Sequence, residues 1–506
     1  MMRKILLINS SSGVLQIFIS MLLVFFTIPV FLNKLGSELF GVYSILLLIG
    51  NINSLANFGL ISSLLKFVAE QGKSVESDHD IIVTFIILVC IISFLSLVAF
   101  SFREFIMADI FGIDQKFIFK DTIWLYNSLV VSNILMFIGQ IGTVVLDAQQ
   151  KIYLTNLYQV IYSILYWGLI LLVLSIFSNL QYIGISIIIS SLIWFLLVLY
   201  SFWKYWGKLQ YSGIFYEFRT VFKKNFFYGM KLYISGILYF LFEPLSKILV
   251  SNFVGLKEVG LLDIILRIRT QIWSVISKFF YPLLPFISQE RDGSKLSAFI
   301  TDLEQKMVFL FLPLIIIVIF VANPFIHLWI GRDVDLIANG IILLVPAHIA
   351  GLLLLPHYQF LTVKGYPGKT IVLQAVNAGV NILIFFLLLP YLDYYAIIFA
   401  NFSAILSSTF VNMYYQKKYL NSFIFSSFKD FIKWSVVFIV LCLTGIFLSS
   451  FIENKIHLIL SVLCAISLVS VFLFRILRVF NINDINKYFG FSKSVSKFVK
   501  RLIIIH

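Results

Sequence analysis

Charge is scarce in this chain of 506 residues: Asp, Glu, Lys and Arg make up 12% of it, against 60% hydrophobic residues. A soluble domain carries about 25% charged residues. With a mean hydropathy of +1.00, this chain cannot clothe a core in polar surface, so soluble fold classes are excluded. Cysteine is scarce too. Cys90, Cys442 and Cys464 all lie in apolar runs and read as packing residues, and no CxxC or Cys/His spacing supports a metal. The first apolar run follows Arg3 and Lys4 as a signal peptide would, yet it lacks an A-x-A-like cleavage site and reads as a helix that stays.

What is present is a series of apolar runs, each near the 20 or so helical residues needed to cross a bilayer. They predict helices at 12–32, 40–67, 81–102, 122–145, 152–176 and 180–203. A polar stretch rich in Lys and aromatics follows, and then come 226–250, 259–287, 304–328, 336–362, 370–390, 394–415, 431–451 and 456–477. The expectation is an all-α integral membrane protein of about fourteen helices. Its parts would be a first lobe over 1–203, a linker over 204–225, a second lobe over 226–416, two appended helices within 430–480 and a basic tail over 481–506.

An even number of spans puts both termini on one side. That side collects 26 Lys and Arg, among them Arg3, Lys4, Lys66, Lys151, Lys204, Lys224, Lys417 and Lys418, against 7 on the other. Basic residues mark the cytoplasmic face, so both termini are expected in the cytoplasm of a cell-membrane protein. The net charge of +14 is then a consequence of topology. It calls for no nucleic acid, although the tail can rest on anionic lipid.

A repeat is visible. Leu35-Gly36-Ser37-Glu38-Leu39-Phe40-Gly41, leading into the second helix, returns as Val254-Gly255-Leu256-Lys257-Glu258-Val259-Gly260, leading into the eighth. The offset is 219 residues, and Lys151 and Lys369 sit at offset 218. Two landmarks agreeing over a hundred positions favour duplication of a six-helix unit. An even unit restores orientation, so the halves should be related by an axis along the membrane normal.

The segment LGSELFGVYSILLLIGNINSLANFGL at 35–60 resembles the second-helix signature of polysaccharide-export flippases. These belong to the multidrug/oligosaccharidyl-lipid/polysaccharide exporter superfamily. LDAQQKIYLTNLYQVIYSILYWGLIL at 146–171 and GLLDIILRI at 260–268 resemble further signatures of that family. The resemblance implies two six-helix lobes around a cavity that opens alternately to either face. It also implies a lipid-linked substrate, an oligosaccharide on undecaprenyl pyrophosphate, moved to the outer leaflet for O-antigen or capsule synthesis. It implies no cofactor. A coupling ion (proton or sodium) and other polysaccharide-assembly membrane proteins enter as candidate partners.

The residues that carry chemistry are the charges inside the seventh and eighth helices. Lys231, Glu243 and Lys247 lie in the former; Asp263, Arg267, Arg269 and Lys278 lie in the latter. A charge at mid-bilayer costs about 2.5–3.5 kcal/mol on insertion scales, so these must face a wet cavity or one another. Asp263, Arg267, Gln271, Ser274 and Lys278 step by four, four, three and four along one stripe. The functional reading makes Arg267, Arg269, Lys247, Lys231, Lys278 and Lys66 a basic wall for pyrophosphate or acidic sugars. Glu243 and Asp263 would hold these cations between substrates.

The bland readings stand beside this one. Lys66, Lys231 and Lys278 can snorkel to the interface. Glu243–Lys247 and Asp263–Arg267 are i,i+4 pairs that can serve as bridges only. Asn53 and Asn57 share a face of the second helix, where they can meet sugar or glue helices together. Pro29, Pro244, Pro282 and Pro285 interrupt helices, as hinges or as ordinary membrane prolines.

Gly368-Lys369-Thr370 imitates the end of a phosphate loop, but Val363 occupies the first glycine position. His348 and His357 lie on opposite sides of a helix and form no ligand pair. Against a cation-coupled drug extruder stand the basic deep charges and the fourteen spans. Against a membrane polymerase stands the shortness of the longest outward loop, 103–121.

Overall fold

The computed structural model describes residues 2–177, 179–240, 242–280, 287, 292–364, 366–422 and 428–479. Among the described residues there are long α-helices and no strand. Such apolar runs leave the backbone no other way to satisfy its N–H and C=O groups in hydrocarbon. In order they are α1 (Met2–Leu46), α2 (Leu48–Ala56), α3 (Leu60–Gln71), α4 (Val75–Ser101), α5 (Lys120–Ala148), α6 (Ile152–Ile176) and α7 (Leu180–Tyr205). The chain continues through α8 (Ile214–Phe240), α9 (Glu243–Phe253), α10 (Leu256–Phe280), α11 (Gly293–Trp329) and α12 (Val334–Leu352). It ends with α13 (Leu355–Val363), α14 (Pro367–Leu392), α15 (Tyr394–Leu420), α16 (Phe428–Phe451) and α17 (Lys455–Ile476).

Eleven stretches among the described residues are long and apolar enough to cross a membrane. The others anticipated from sequence are the runs that are broken or charged. The first two expected spans run together in α1 and part at Gly36, whose φ of 84° is left-handed. The second run, expected as one helix over 40–67, is three pieces. It breaks at Leu47 and again at Asn57–Gly59, where Phe58 (φ 46°) and Gly59 (φ 73°) are left-handed. The seventh run breaks ahead of Glu243 and Pro244, which open α9. The eighth, α10, fails on charge rather than length.

Contacts divide the chain at Asp263, within α10, into a first unit over 1–263 and a second over 264–506. In the first unit α5 lies along α7 and α1 along α6. Polar rungs cross these seams. Tyr43 and Tyr166 share a hydroxyl bond of 2.7 Å, Ser20 and Ser163 one of 3.0 Å, and Ser132 bonds Ser191. Small and hydroxylated residues let membrane helices approach closely and hold on. In the second unit α14 lies along α15, and α16 and α17 pack together against α11. Val437, Leu441, Val462 and Ile466 are buried in that seam.

The repeat has a physical counterpart inside the first unit. Gly36 and Gly255, equivalent at offset 219, both take positive φ (84° and 158°) just ahead of their helices. Past these turns the two helix starts cross at Gly41 and Gly260. A Cβ on Gly41 would stand 1.6 Å from the carbonyl oxygen of Leu256, and one on Gly260 would stand 3.0 Å from that of Ser37. Ser37 and Leu256 are themselves equivalent.

The second landmark behaves alike in each unit. Lys151 sits 3.7 Å above the ring of Tyr205 in the first, and Lys369 sits 5.6 Å above that of Tyr415 in the second. Burial at this loop pushes the Lys151 ammonium below the ordinary lysine range.

Gly41→Ala should prevent normal accumulation in membranes, because its new methyl meets backbone that cannot yield. Gly50→Ala, with nothing within 4 Å of the added carbon, should accumulate as wild type and gain up to about 1 kcal/mol of helix propensity. Immunoblots of membrane fractions and thermal unfolding in detergent compare the two. Equal behaviour would contradict the crossing.

Candidate functional site

The break that opens α9 brings Glu243 to a helix N-terminus, where the exposed N–H groups favour a carboxylate. One turn on, Lys247 reaches across to α10 and pairs with Asp263, whose residue is 2% exposed. The expected neighbours in sequence thus acquire a partner across two helices. The lysine side chain is 13% exposed, so the pair lies almost wholly inside the first unit.

Arg267 and Arg269 follow on α10, in the part that belongs to the second unit. They lie 11 and 13 residues past Leu256, roughly 16–20 Å along the helix. Arg269 is 4% exposed and within electrostatic reach of His348 on α12. His348 packs its ring against Trp273, 5.5 Å away. Arg267 is half-buried.

Lys66 is half-exposed on α3. Its ammonium lies 4.1 Å above the ring of Tyr228 on α8 and 3.9 Å from Glu70. It is therefore held by an aromatic face rather than extended freely, an attraction worth about 0.5–1 kcal/mol at an exposed site. Asn57 spends its carbonyl oxygen on the break, accepting from the Gly59 N–H at 2.8 Å. That break is also a close helix crossing, since a Cβ on Gly59 would stand 2.2 Å from the Gly229 oxygen. The side chains of Asn53, Lys231 and Lys278 lie outside the described residues, as does the basic tail.

The sequence reading passed over a second cluster. Helix α4 starts at Val75, six residues before the expected 81, with Ser74 as N-cap accepting from the Ser77 N–H. Three polar side chains are thereby buried at its start. Asp78 accepts from the Lys73 ammonium (2.7 Å), the Trp206 indole (2.7 Å) and the Gln210 N–H (3.0 Å). His79 bridges Glu217 (2.7 Å) and the Ser212 carbonyl (3.0 Å). Asp80 accepts from Lys224 (2.7 Å) and Asn225 (3.0 Å).

Every partner but Lys73 lies in the stretch 204–225, read from sequence as a plain linker, or at its edge. That stretch is bolted to α4, and α8 begins inside it at Ile214. The signal lay in Ser74-Val75-Glu76-Ser77-Asp78, a capping serine followed by first-turn acids.

Residues 6–290 match the family described as polysaccharide biosynthesis protein. A putative O-antigen transporter of Shigella flexneri is 21% identical over 306 residues, covering 59% of this chain and 70% of the relative. Among solved structures, the lipid II flippase MurJ in an inward closed conformation is similar. Its TM-score is 0.73 at 16% identity, over 92% of this chain and 98% of that one. An inward-facing multidrug resistance transporter of the MATE family, in the MOP superfamily, gives 0.57 at 13% identity over 82% and 94%. Likeness at such identity carries the fold. The family match covers more than half of the chain, and this chain belongs to the polysaccharide biosynthesis protein family. Its long apolar helices make it a multi-pass membrane protein.

Two outcomes follow from the contacts. Asp78→Ala removes the acceptor of three donors, so limited proteolysis should cut between Trp206 and Ser212 at least tenfold faster than in wild type. Lys247→Met alone should destabilise by about 3–5 kcal/mol, since it removes one member of a buried ion pair. Lys247→Met with Asp263→Leu should recover most of that loss in thermal unfolding.

Proposed function

From this family membership, we propose that the protein moves an undecaprenyl-pyrophosphate-linked oligosaccharide from the cytoplasmic to the outer leaflet of the cytoplasmic membrane. The product serves O-antigen or capsule assembly. The observation that carries the reading is the pair Arg267 and Arg269, deep in a helix of a chain of this family. Guanidiniums at that depth are costly against lipid and tolerable against water or an anion. A pyrophosphate matches their planar, two-pronged donors.

In this reading the arginines, with Lys247, Lys231, Lys278 and Lys66, line a basic cavity that opens alternately to the two faces. Asn53 and Asn57 offer amide groups to sugar, and for Asn57 that group is the NH2, its oxygen being occupied. Asp263 holds Lys247 between substrates, and Glu243 is the second carboxylate available to the cations. The orientation, with both termini cytoplasmic, is supported by the 26-to-7 division of Lys and Arg. The domain division proposed with it is a lobe over 1–203, a linker over 204–225, a lobe over 226–416, appended helices within 430–480 and a basic tail. The drug-extruder reading shares the fold, but a pocket for cationic drugs calls for acidic lining, and Arg267 and Arg269 oppose it.

Arg267→Gln and Arg269→Gln should each abolish surface glycan in a flippase-null strain while the protein reaches its normal level in membranes. Arg→Lys should restore it in part, because charge remains while the fork is lost. Glycan display by the double Arg→Gln variant at the wild-type level would refute the reading. Loss of glycan together with loss of protein would make these arginines structural.

A further inference from the structure

The second unit contains a buried acid that no part of the proposed translocation path uses. Glu304 on α11, His357 on α13 and Gln416 on α15 are each 0% exposed. Oε2 of Glu304 accepts from the Gln416 amide. The imidazole is fixed in turn. Its Nδ1 lies 2.7 Å from Oδ1 of Asn412, whose amide nitrogen donates to the Leu354 carbonyl at 3.3 Å. An amide oxygen only accepts, so Nδ1 carries the hydrogen and Nε2 presents a lone pair.

Oε1 of Glu304, Nε2 of His357, Oε1 of Gln416 and Oγ1 of Thr301 have no hydrogen-bond partner among the described residues. Three of these four atoms are acceptors. A closed patch short of donors is completed by a hydrogen, and a bare carboxylate at zero exposure is the group that gains most from one.

The patch has a way out. A cavity of about 580 Å³ is lined by Ser297, Thr301, Phe360, Tyr419, Asn421 and Ser422, among others. Thr301 precedes Glu304 by three residues, Phe360 follows His357 by three, and Tyr419 follows Gln416 by three. Three residues are about one helical turn, so the cavity floor lies one turn from each member of the cluster. It is lined where α11 begins and α15 ends, the end of α15 that also carries Lys417 and Lys418 and that the Lys and Arg distribution assigns to the basic side. Its hydroxyls and amide suit water. Asp292 caps the start of α11 by accepting from Ser294 and Lys295, which holds its own carboxyl below the usual range and keeps that helix end from serving as an anion site.

We propose that Glu304, with His357 and Gln416, is a proton-binding site filled from the solution at the basic end through this cavity. A hydronium ion gives its proton to Oε1 of Glu304, water returns to the cavity, and the new O–H supplies the donor that the patch lacks. His357 is the titratable group facing it from α13, while α15 presents the neutral Asn412 and Gln416. On α11 itself Asp302 and Lys306 pair with each other at 2.6 Å. The other helices packed on α11 carry Asp335 and His348 on α12, Lys429, Asp430 and Lys433 on α16, of which the last two pair at 3.9 Å, and Lys455, His457 and Arg475 on α17. The use of the proton, to drive transport, rests on the function proposed above; its binding does not.

The full chain in phospholipid nanodiscs, in sodium-free buffer, is followed by infrared difference spectroscopy between alkaline and acid pH. A carboxylic-acid carbonyl band should appear on acidification, be lost entirely in Glu304→Gln, and move in frequency in Gln416→Leu, which removes the donor to Oε2. The glutamine variant should fold, being the neutral shape of the protonated acid; should it accumulate poorly, the shift in Gln416→Leu carries the assignment. A band that is unchanged in both variants would overturn the proposal. So would a carboxylate signal that answers added sodium at constant pH but not acid, which would make this a metal-ion site. No glycan enters the measurement, so its failure and a failure of the oligosaccharide reading are told apart.

Discussion

A polar group inside hydrocarbon must find its partner within the protein, and the architecture depends on how that demand is met. Unbroken helices meet it with their own backbones. At two of the breaks a side chain stands where backbone bonds are missing. Asn57 lends its side-chain oxygen to Gly59 at one break, and Glu243 stands at the N–H groups of another. Several of its charges have a counterpart close by: Asp263 for Lys247, the ring of Tyr228 for Lys66, Lys224 for Asp80. The runs that are broken or charged are the ones that carry Lys66, Lys247, Asp263, Arg267 and Arg269, because only a helix with protein or water beside it can hold such residues.

The fold was largely legible in the chain. Runs of about 20 apolar residues have few structural outcomes, and the glycines at 36 and 255 take positive φ ahead of helix starts. What sequence did not disclose was discontinuity. Nothing in the hydropathy of 40–67 distinguishes one helix from three pieces, since Leu47 is as apolar as its neighbours and the left-handed turn at Phe58 and Gly59 depends on Gly229 lying against it. Helix starts were placed late for a similar reason. Hydropathy detects hydrocarbon, whereas α4 and α11 begin with polar turns at Val75 and Gly293. Both hidden clusters, around Asp78 and around Glu304, lie in those early turns.

The candidate site was legible in part. Lone charges in apolar helices are conspicuous, so Lys247, Asp263, Arg267 and Arg269 could be named from composition and depth. Their pairing could not, because Lys247 and Asp263 are 16 residues apart and meet only through the turn at Gly255. Glu304 escaped notice for the opposite reason: with Asp302, Gln305 and Lys306 beside it, it reads as one more polar residue at a helix end. Burial on three sides, by α11, α13 and α15, separates it from those neighbours, and burial is a tertiary property.

The bolt between α4 and the stretch 206–225 has a consequence for synthesis. Asp78, His79 and Asp80 take all their partners from residues 73–225, so that network can close while the rest of the chain is still being made. The Gly41 crossing cannot, because it waits for Leu256 and Gly260. The first half therefore emerges as a body that stays open at one seam until the eighth apolar run is delivered, and a nascent chain stalled between about 225 and 255 would present Gly41 uncovered. For a protein inserted from its first residue onward, that interval is where quality control has an exposed surface to read.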